Sequence, residues 1–207
     1  MTDFSAMPIN EVANYNTPEA LDYFWAHKDF SEYFTPQRMK HYEVVAEYLL
    51  DNLGLKSMSL IDFGCGCGQL ISILTDRSML ARLVGLDYAT SAIGIAQRSN
   101  PYSTFIRGDI LDNGLPSESY DLALCIEVLE HITDYPKALT EMFRVLKPGG
   151  SFVLTVPNAV LDRGAPYHIN FWTQGEIVLL LAGYGEIIHH EMIMDNNSTL
   201  VHVRKVS

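Results

Sequence analysis

In LIDFGCGCGQL, residues 60–70, a short apolar run meets glycines at 64, 66 and 68 and then passes into a helical stretch. Glycine lets the backbone turn sharply and approach a ligand closely. The start of the following helix offers unpaired N–H groups to an anion or a polar group. The dinucleotide fingerprint needs glycines at its first, third and sixth positions. Counted from Gly64 the sixth position here is Gln69, and Asp62 stands just ahead of the loop. A carboxylate there repels a pyrophosphate and welcomes an ammonium group, so the loop leans away from a nicotinamide dinucleotide.

Outward from this loop the chain alternates between two periods. Strand-length apolar runs occur at Met58–Phe63, Arg82–Asp87, Thr104–Gly108, Tyr120–Ile126 and Ser151–Val156. Helical stretches lie between them, among them Leu70–Asp76, Ser91–Ser99 and Pro136–Leu146. Alternation of this kind implies parallel strands with helices on both faces. Near the end, Thr173–Glu176 reads as a capping box opening a helix over Gly175–Ala182. Two more strands, Gly185–Met194 and Thr199–Val206, are joined by DNNS, a link short enough for an antiparallel hairpin alone. The fold expected is α/β and Rossmann-like. Its seven-stranded sheet is mostly parallel and closes with an antiparallel last strand.

Residues 1–57 are helical and aromatic-rich, and form an N-terminal cap to a domain over 58–207. Thr17-Pro18-Glu19 and Thr35-Pro36 each read as a cap followed by proline at the first helical position. Met39, Tyr42, Val45, Leu49 and Leu53 share one helix face. Tyr15, Phe24, Trp25, Tyr33 and Phe34 either pad the sheet edge or roof a pocket.

At 207 residues the chain fits one domain with a small appendage. Its formal charge of −11, with no Lys/Arg cluster, disfavours a nucleic-acid partner and favours a small acceptor. No apolar run approaches the roughly 20 residues that span a bilayer, and the stretch MTDFSAMPINEV lacks the basic-then-apolar pattern of a secretory leader. Three cysteines, not at zinc spacing, fit a reducing compartment. A cytoplasmic monomer or homodimer is expected.

Acids recur at the ends of successive strands: Asp62, Asp87 in VGLDYA and Asp109 in IRGDI. Ligands bind at such carboxyl ends in open α/β sheets. A carboxylate after the second strand suits ribose hydroxyls, and one after the third suits an adenine amino group, with Ile110 packing on the ring. Taken together, DFGCGCG, GLDYA, GDI, YDLALCIEVLEH and RVLKPGGSFVLTVPN resemble the successive motifs of the class I S-adenosylmethionine-dependent methyltransferases. The resemblance implies that Asp62 and the backbone of Gly64, Cys65 and Gly66 hold the methionine part of that cofactor. It further implies Asp87 at the ribose, Asp109 and Ile110 at the adenine with Tyr88 flanking the base, and the backbone near Cys125 at the methionine amino group. The turn Lys147–Gly150 is structural.

CIEVLEHITDYP, residues 125–136, follows the fourth strand. Were Glu127 to His131 a helical turn, Glu127, Glu130 and His131 would share a face. Many class I methyltransferases carry a similar EVLEH that lines the pocket. The joint pattern with His168, Trp172 and Thr173 also resembles the small-RNA 3′-terminal 2′-O-methyltransferases, where two Glu and two His bind a divalent metal. EVLEH with a later histidine resembles the ubiquinone-biosynthesis O-methyltransferases as well. Three readings stay open. Glu127, Glu130, His131 and His168 hold Mg²⁺, Mn²⁺ or Fe²⁺; or His131 or His168 is a metal-free general base; or the group lines the pocket. His189 and His190 alternate along a strand and are structural or on the surface. Cys65 and Cys67 are small fillers.

The expected activity is methyl transfer from S-adenosylmethionine to a small molecule, at a hydroxyl of a sugar or phenol, with His131, Glu127 and His168 as catalytic candidates. A catalytically silent cofactor-binding partner subunit and a nicotinamide oxidoreductase are the alternatives. The N-terminal helices and the Asn158–Asn170 loop set specificity and carry no readable code.

Overall fold

A strand such as Tyr120–Ile126, apolar on both faces, needs cover on both, and helices on either side of the sheet supply it. In the computed structural model, which describes residues 16–27, 34–161 and 167–206, seven strands lie in the order β3-β2-β1-β4-β5-β7-β6. They are β1 (Ser59–Phe63), β2 (Arg82–Asp87), β3 (Thr104–Arg107), β4 (Tyr120–Ile126), β5 (Leu146–Pro157), β6 (Gly185–Ile193) and β7 (Ser198–Lys205). β1 to β5 pair in parallel, and β7 runs antiparallel to both β5 and β6. The expected architecture is the one found. After β3 the chain crosses back to lie beside β1, so the order reverses between β1 and β4. At that switch point the carboxyl ends of the strands form a crevice.

Six helices flank the sheet among the described residues: α1 (Pro18–His27), α2 (Pro36–Asn52), α3 (Gln69–Arg77), α4 (Thr90–Ser99), α5 (Tyr135–Val145) and α6 (Gln174–Leu181). The period of two along β4 divides the core. Leu122 and Leu124 meet Val45, Ala46 and Leu49 of α2 on one face. Ala123 and Cys125 meet Leu139 and Met142 of α5 on the other. Fully burying such a side chain is worth about 1.5–3 kcal/mol. Thr17 Oγ1 accepts from the Ala20 N–H at 3.2 Å, Thr35 caps α2, and Thr173 and Glu176 form the reciprocal capping box of α6.

Two junctions refine the sequence reading. Lys147–Gly150 does not precede β5 but bulges within it: the register passes from Tyr120 opposite Leu146 to Leu122 opposite Ser151. Gly149, at φ 75°, makes the bend, and Lys147 Nζ closes it on Asp121 Oδ1 at 2.7 Å. The β6–β7 hairpin turns on Asp195 and Asn196, at φ 55° and 67°, residue types that tolerate the left-handed region. His189 stacks on Tyr48 and His190 contacts Gln174 of α6, on opposite sides of β6 as expected. Tyr15 and Tyr33 lie outside the described residues, as does the centre of the Asn158–Asn170 loop. Among the described residues no helix is long and apolar enough to cross a membrane.

A buried polar relay joins α2 to the reversed strand. The Tyr48 hydroxyl and His202 Nδ1 are 2.9 Å apart, and His202 Nε2 and Ser151 Oγ are 2.9 Å apart. Burial, followed by the positive Arg204 and by His189, pushes the His202 imidazole down to about 4. The unfolded chain, with an ordinary histidine near 6.5, then binds more protons than the folded one between those values, and stability falls as pH drops through that window. In urea denaturation the midpoint advantage of the parent over His202→Gln is expected to be full above pH 6.5 and to shrink steadily toward pH 4.

Candidate active site

β1 delivers Asp62 to the carboxyl edge, where Gly64, Gly66 and Gly68 all adopt left-handed backbone, at φ 72°, 53° and 79°. Gly64 has a second reason to be glycine: a Cβ there would run into Cγ2 of Val128 and lie 2.9 Å from Cγ1. The loop is tied to β2, since Gly64 N and Cys65 N both donate to Leu86 O. Asp87 completes the tie by accepting from Gly66 N at 2.8 Å and from Ala89 N at 2.9 Å. Each carboxylate oxygen keeps a further lone pair, so this arrangement is compatible with the ribose contact expected of Asp87. Burial, then the charge of Asp87, pushes the Asp62 carboxyl up to about 8. Burial also raises Asp87, against the pull of its backbone donors.

Tyr88 and Asp109 line a cleft of about 250 Å³ together with Arg107 and Gly108. Asp109 Oδ1 accepts from Leu111 N at 2.8 Å, and Ile110 packs against the core. Cys125 is fully buried. Its thiol is raised by burial first, then by the carboxylates of Glu130 and Asp62 and, more weakly, by Glu127, so these acids gather around the end of β4.

α1 lies over the glycine loop. Trp25 packs with Cys67, Ala89 and Ala92, while Phe24 and Phe34 adjoin the same cluster. Asp22 Oδ1 accepts from Ser91 N at 2.9 Å, and the Ser91 hydroxyl donates to Asp22 O at 2.8 Å, clasping α1 to the start of α4. Of the two readings of the aromatic stretch, the described members sit on the loop rather than on a sheet edge. Cys65 and Cys67 are buried, with free thiols, as expected of fillers.

After β4, Glu130, His131 and His168 bring one ligand atom each within 4.8 Å of one another. The Glu130 side chain is 1% exposed. The backbone carbonyl of Glu130 accepts from Ile169 N and Asn170 N, and the Asn170 amide donates to Leu129 O and Ile132 O. That clamp carries His168 to its partners across a long separation in sequence. His131 Nδ1 lies 3.0 Å from Tyr167 O. A carbonyl can only accept, so Nδ1 bears the proton in the neutral ring, and Nε2 keeps its lone pair on the side of Glu130.

Glu127 requires a correction. Glu127 to His131 is not one helical turn: the chain leaves β4 at Glu127 with φ 54°, and a short 3₁₀ turn begins only at Leu129. A left-handed non-glycine residue costs about 1–2 kcal/mol. The i, i+3, i+4 face is therefore not formed, and the trio closes without Glu127. The Glu127 carboxylate instead lies 3.8 Å from His41 Nε2, which is itself 3.3 Å from Thr155 Oγ1. Burial, then Arg38, pushes His41 down to about 4. Its contact with Glu127 is accordingly that of a neutral ring with a carboxylate, not an ion pair. His41, Asn170 and the Asp22–Ser91 clasp escaped the sequence reading. His41 stands within an apolar helix pattern that marks it as core, and only its partners in space distinguish it.

Residues 61–154 match the family described as "Methyltransferase domain". A probable S-adenosylmethionine-dependent methyltransferase of Mycolicibacterium smegmatis is 29% identical over 70% of this chain and 58% of its own length. A ubiquinone biosynthesis O-methyltransferase of Bradyrhizobium sp. is 32% identical over 58% of this chain and 51% of its own. The chain thus spans a little over half the length of these curated relatives. Among solved structures, the N-methyltransferase NodS of Bradyrhizobium japonicum, in complex with S-adenosyl-L-homocysteine, superposes with a TM-score of 0.75 over 93% of this chain and all of that one, at 22% identity. That likeness is one of fold.

Gly64→Ala is expected to destabilise the chain by about 2–5 kcal/mol, summing left-handed strain and overpacking against Val128. In a double-mutant cycle read by urea denaturation, Val128→Ala should return the steric part and leave the backbone part.

Proposed function

Because the chain belongs to the class I S-adenosylmethionine-dependent methyltransferases, we propose that it transfers a methyl group from S-adenosylmethionine to a hydroxyl oxygen of a small molecule. One observation carries the reading. Buried carboxylates, Asp62, Asp87 and Glu130, gather at the carboxyl edge beside a glycine cradle. Such a pocket is poorly solvated for anions and suits a ligand that brings its own positive charge. When bound, S-adenosylmethionine supplies an activated methyl on a sulfonium together with an ammonium group.

In this reading Asp62 faces the ammonium, with the backbone of Gly64, Cys65 and Gly66 around the methionine part and the Cys125 backbone near its amino group. Asp87 takes the ribose. Tyr88 and Asp109 hold the adenine in the cleft they border, with Ile110 packing on its ring. Residues 1–57 serve as the cap, Trp25 lying over the loop. His131 presents Nε2 to the acceptor side, with His168 beside it, and either can take the acceptor's proton. Holding donor and acceptor in line is the larger part of the work, since the methyl is already activated.

The donor set of Glu130, His131 and His168 also fits a divalent ion such as Mg²⁺, Mn²⁺ or Fe²⁺, mixed oxygen and nitrogen ligands suiting these metals. Such an ion would supply Lewis acidity toward a hydroxyl of high pKa. Oxygen as the accepting atom is favoured by this set, and by likeness to a ubiquinone biosynthesis O-methyltransferase over more than half the chain.

Calorimetry with S-adenosylhomocysteine tests the cofactor assignment, and no binding at high micromolar concentration would end it. Its ammonium should draw Asp62 into the ionised form. Binding is then expected to release up to one proton below pH 8, and affinity should rise with pH until about 8, where Asp62 ionises unaided. Asp62→Asn should bind weakly and lose the pH dependence. The metal assignment predicts that Mn²⁺ binding, followed by electron paramagnetic resonance, is lost in Glu130→Ala. Equal Mn²⁺ uptake by parent and variant, with activity indifferent to EDTA, would remove the metal.

A further inference from the structure

The polar groups that follow β4 part in two directions. Glu130 and His131 turn toward the 167–170 segment, whereas Glu127 turns toward α2. Around Glu127 three elements meet. His41 comes from near the start of α2, Glu127 from the end of β4, and Thr155 from the end of β5. Thr155 pairs with Ile126 in the strand register, and Glu127 N donates to Thr155 O at 3.0 Å, so the carboxylate and the hydroxyl stand on adjoining strands. His41 Nε2 lies 3.3 Å from the Thr155 hydroxyl and 3.8 Å from Glu127 Oε1. Thr155 is completely buried and the His41 side chain is 12% exposed. The next residue, Val128, presses on Gly64 of the glycine loop. Glu127 is thus next in sequence to the residue that meets the loop, and its carboxylate lies beside the imidazole.

Resting on the cofactor reading above, we propose that His41 is a positioning residue of the methyl-transfer site: its Nε2–H, shared between the Thr155 hydroxyl and the Glu127 carboxylate, orients that carboxylate toward the methyl, on the acceptor side. An acceptor approaching the sulfonium then meets a fixed anion, which favours hydroxyl-bearing or cationic acceptors over carboxylates. The histidine acts through Glu127 and does not touch the reacting atoms. Its place on α2 makes the cap helices part of the chemistry as well as of the enclosure.

The test needs no acceptor. S-Adenosylhomocysteine ends at a neutral sulfur, while sinefungin places a primary ammonium where the methyl would be. Calorimetry on the full chain gives the ratio of the two affinities. The parent is expected to prefer sinefungin by about tenfold, the scale of one charge-assisted hydrogen bond. Glu127→Gln should bring the ratio to about one, and His41→Leu and Thr155→Val should lower it several-fold with S-adenosylhomocysteine affinity unchanged. His41→Gln, whose amide nitrogen can take the place of Nε2, should restore most of it, and far-ultraviolet circular dichroism checks that each variant folds. An unchanged ratio in both His41→Leu and Thr155→Val, or a parent with no preference, overturns the proposal while leaving the cofactor reading intact. Failure of the parent to bind either compound overturns the cofactor reading itself.

Discussion

Two backbone amides, those of Gly66 and Ala89, point at the single carboxylate of Asp87. Much of the carboxyl edge depends on that convergence. One amide belongs to the glycine loop, the other to the residue before α4, so a single side chain joins the two segments. Asp87 sits at the end of β2, where the strand order of the sheet puts it beside β1. Parallel pairing in the interior therefore decides the shape of a loop at the rim. Asp62, one strand over, is left buried and reluctant to ionise. The acid that builds the loop also makes the neighbouring acid receptive to a cation.

The other side of the edge is assembled differently. Glu130 and His131 are placed by a 3₁₀ turn, but His168 arrives from a distant segment, clamped by hydrogen bonds to the carbonyls of Leu129, Glu130 and Ile132. Asn170 supplies two of them from its side-chain amide. Removing that side chain would loosen the clamp without touching any ionisable group, leaving the backbone bonds to Glu130 in place. A bridge between Asn158 and Trp172 secures the far end of the same segment.

The fold was legible because its signals are periodic and local. Strand bounds fell within a residue or two for six of the seven runs, since alternation, glycine and capping residues act over a few positions. β5 was the exception: a bulge holding Lys147–Gly150 reads as a turn from sequence, and only pairing with Tyr120 and Leu122 reveals that the strand has already begun. At the site, the positions of Asp62, Asp87 and Asp109 followed from strand ends. The face shared by Glu127, Glu130 and His131 did not survive, because periodicity presumes regular backbone and Glu127 is left-handed. His41 was hidden for the opposite reason. It obeys the helix pattern well enough to pass for core, and its meaning lies in Glu127 and Thr155, about 90 and more than 110 residues away.

The chain holds two tryptophans, and the structure sets one at each flank of the carboxyl edge. Trp25 rests against the glycine loop, and Trp172 lies at the foot of the segment bearing His168, edge-on to Tyr135. Both are almost fully buried. All of the protein's indole emission therefore originates from the two walls between which a ligand would sit. Any event that rearranges either wall reports itself spectrally, without a label.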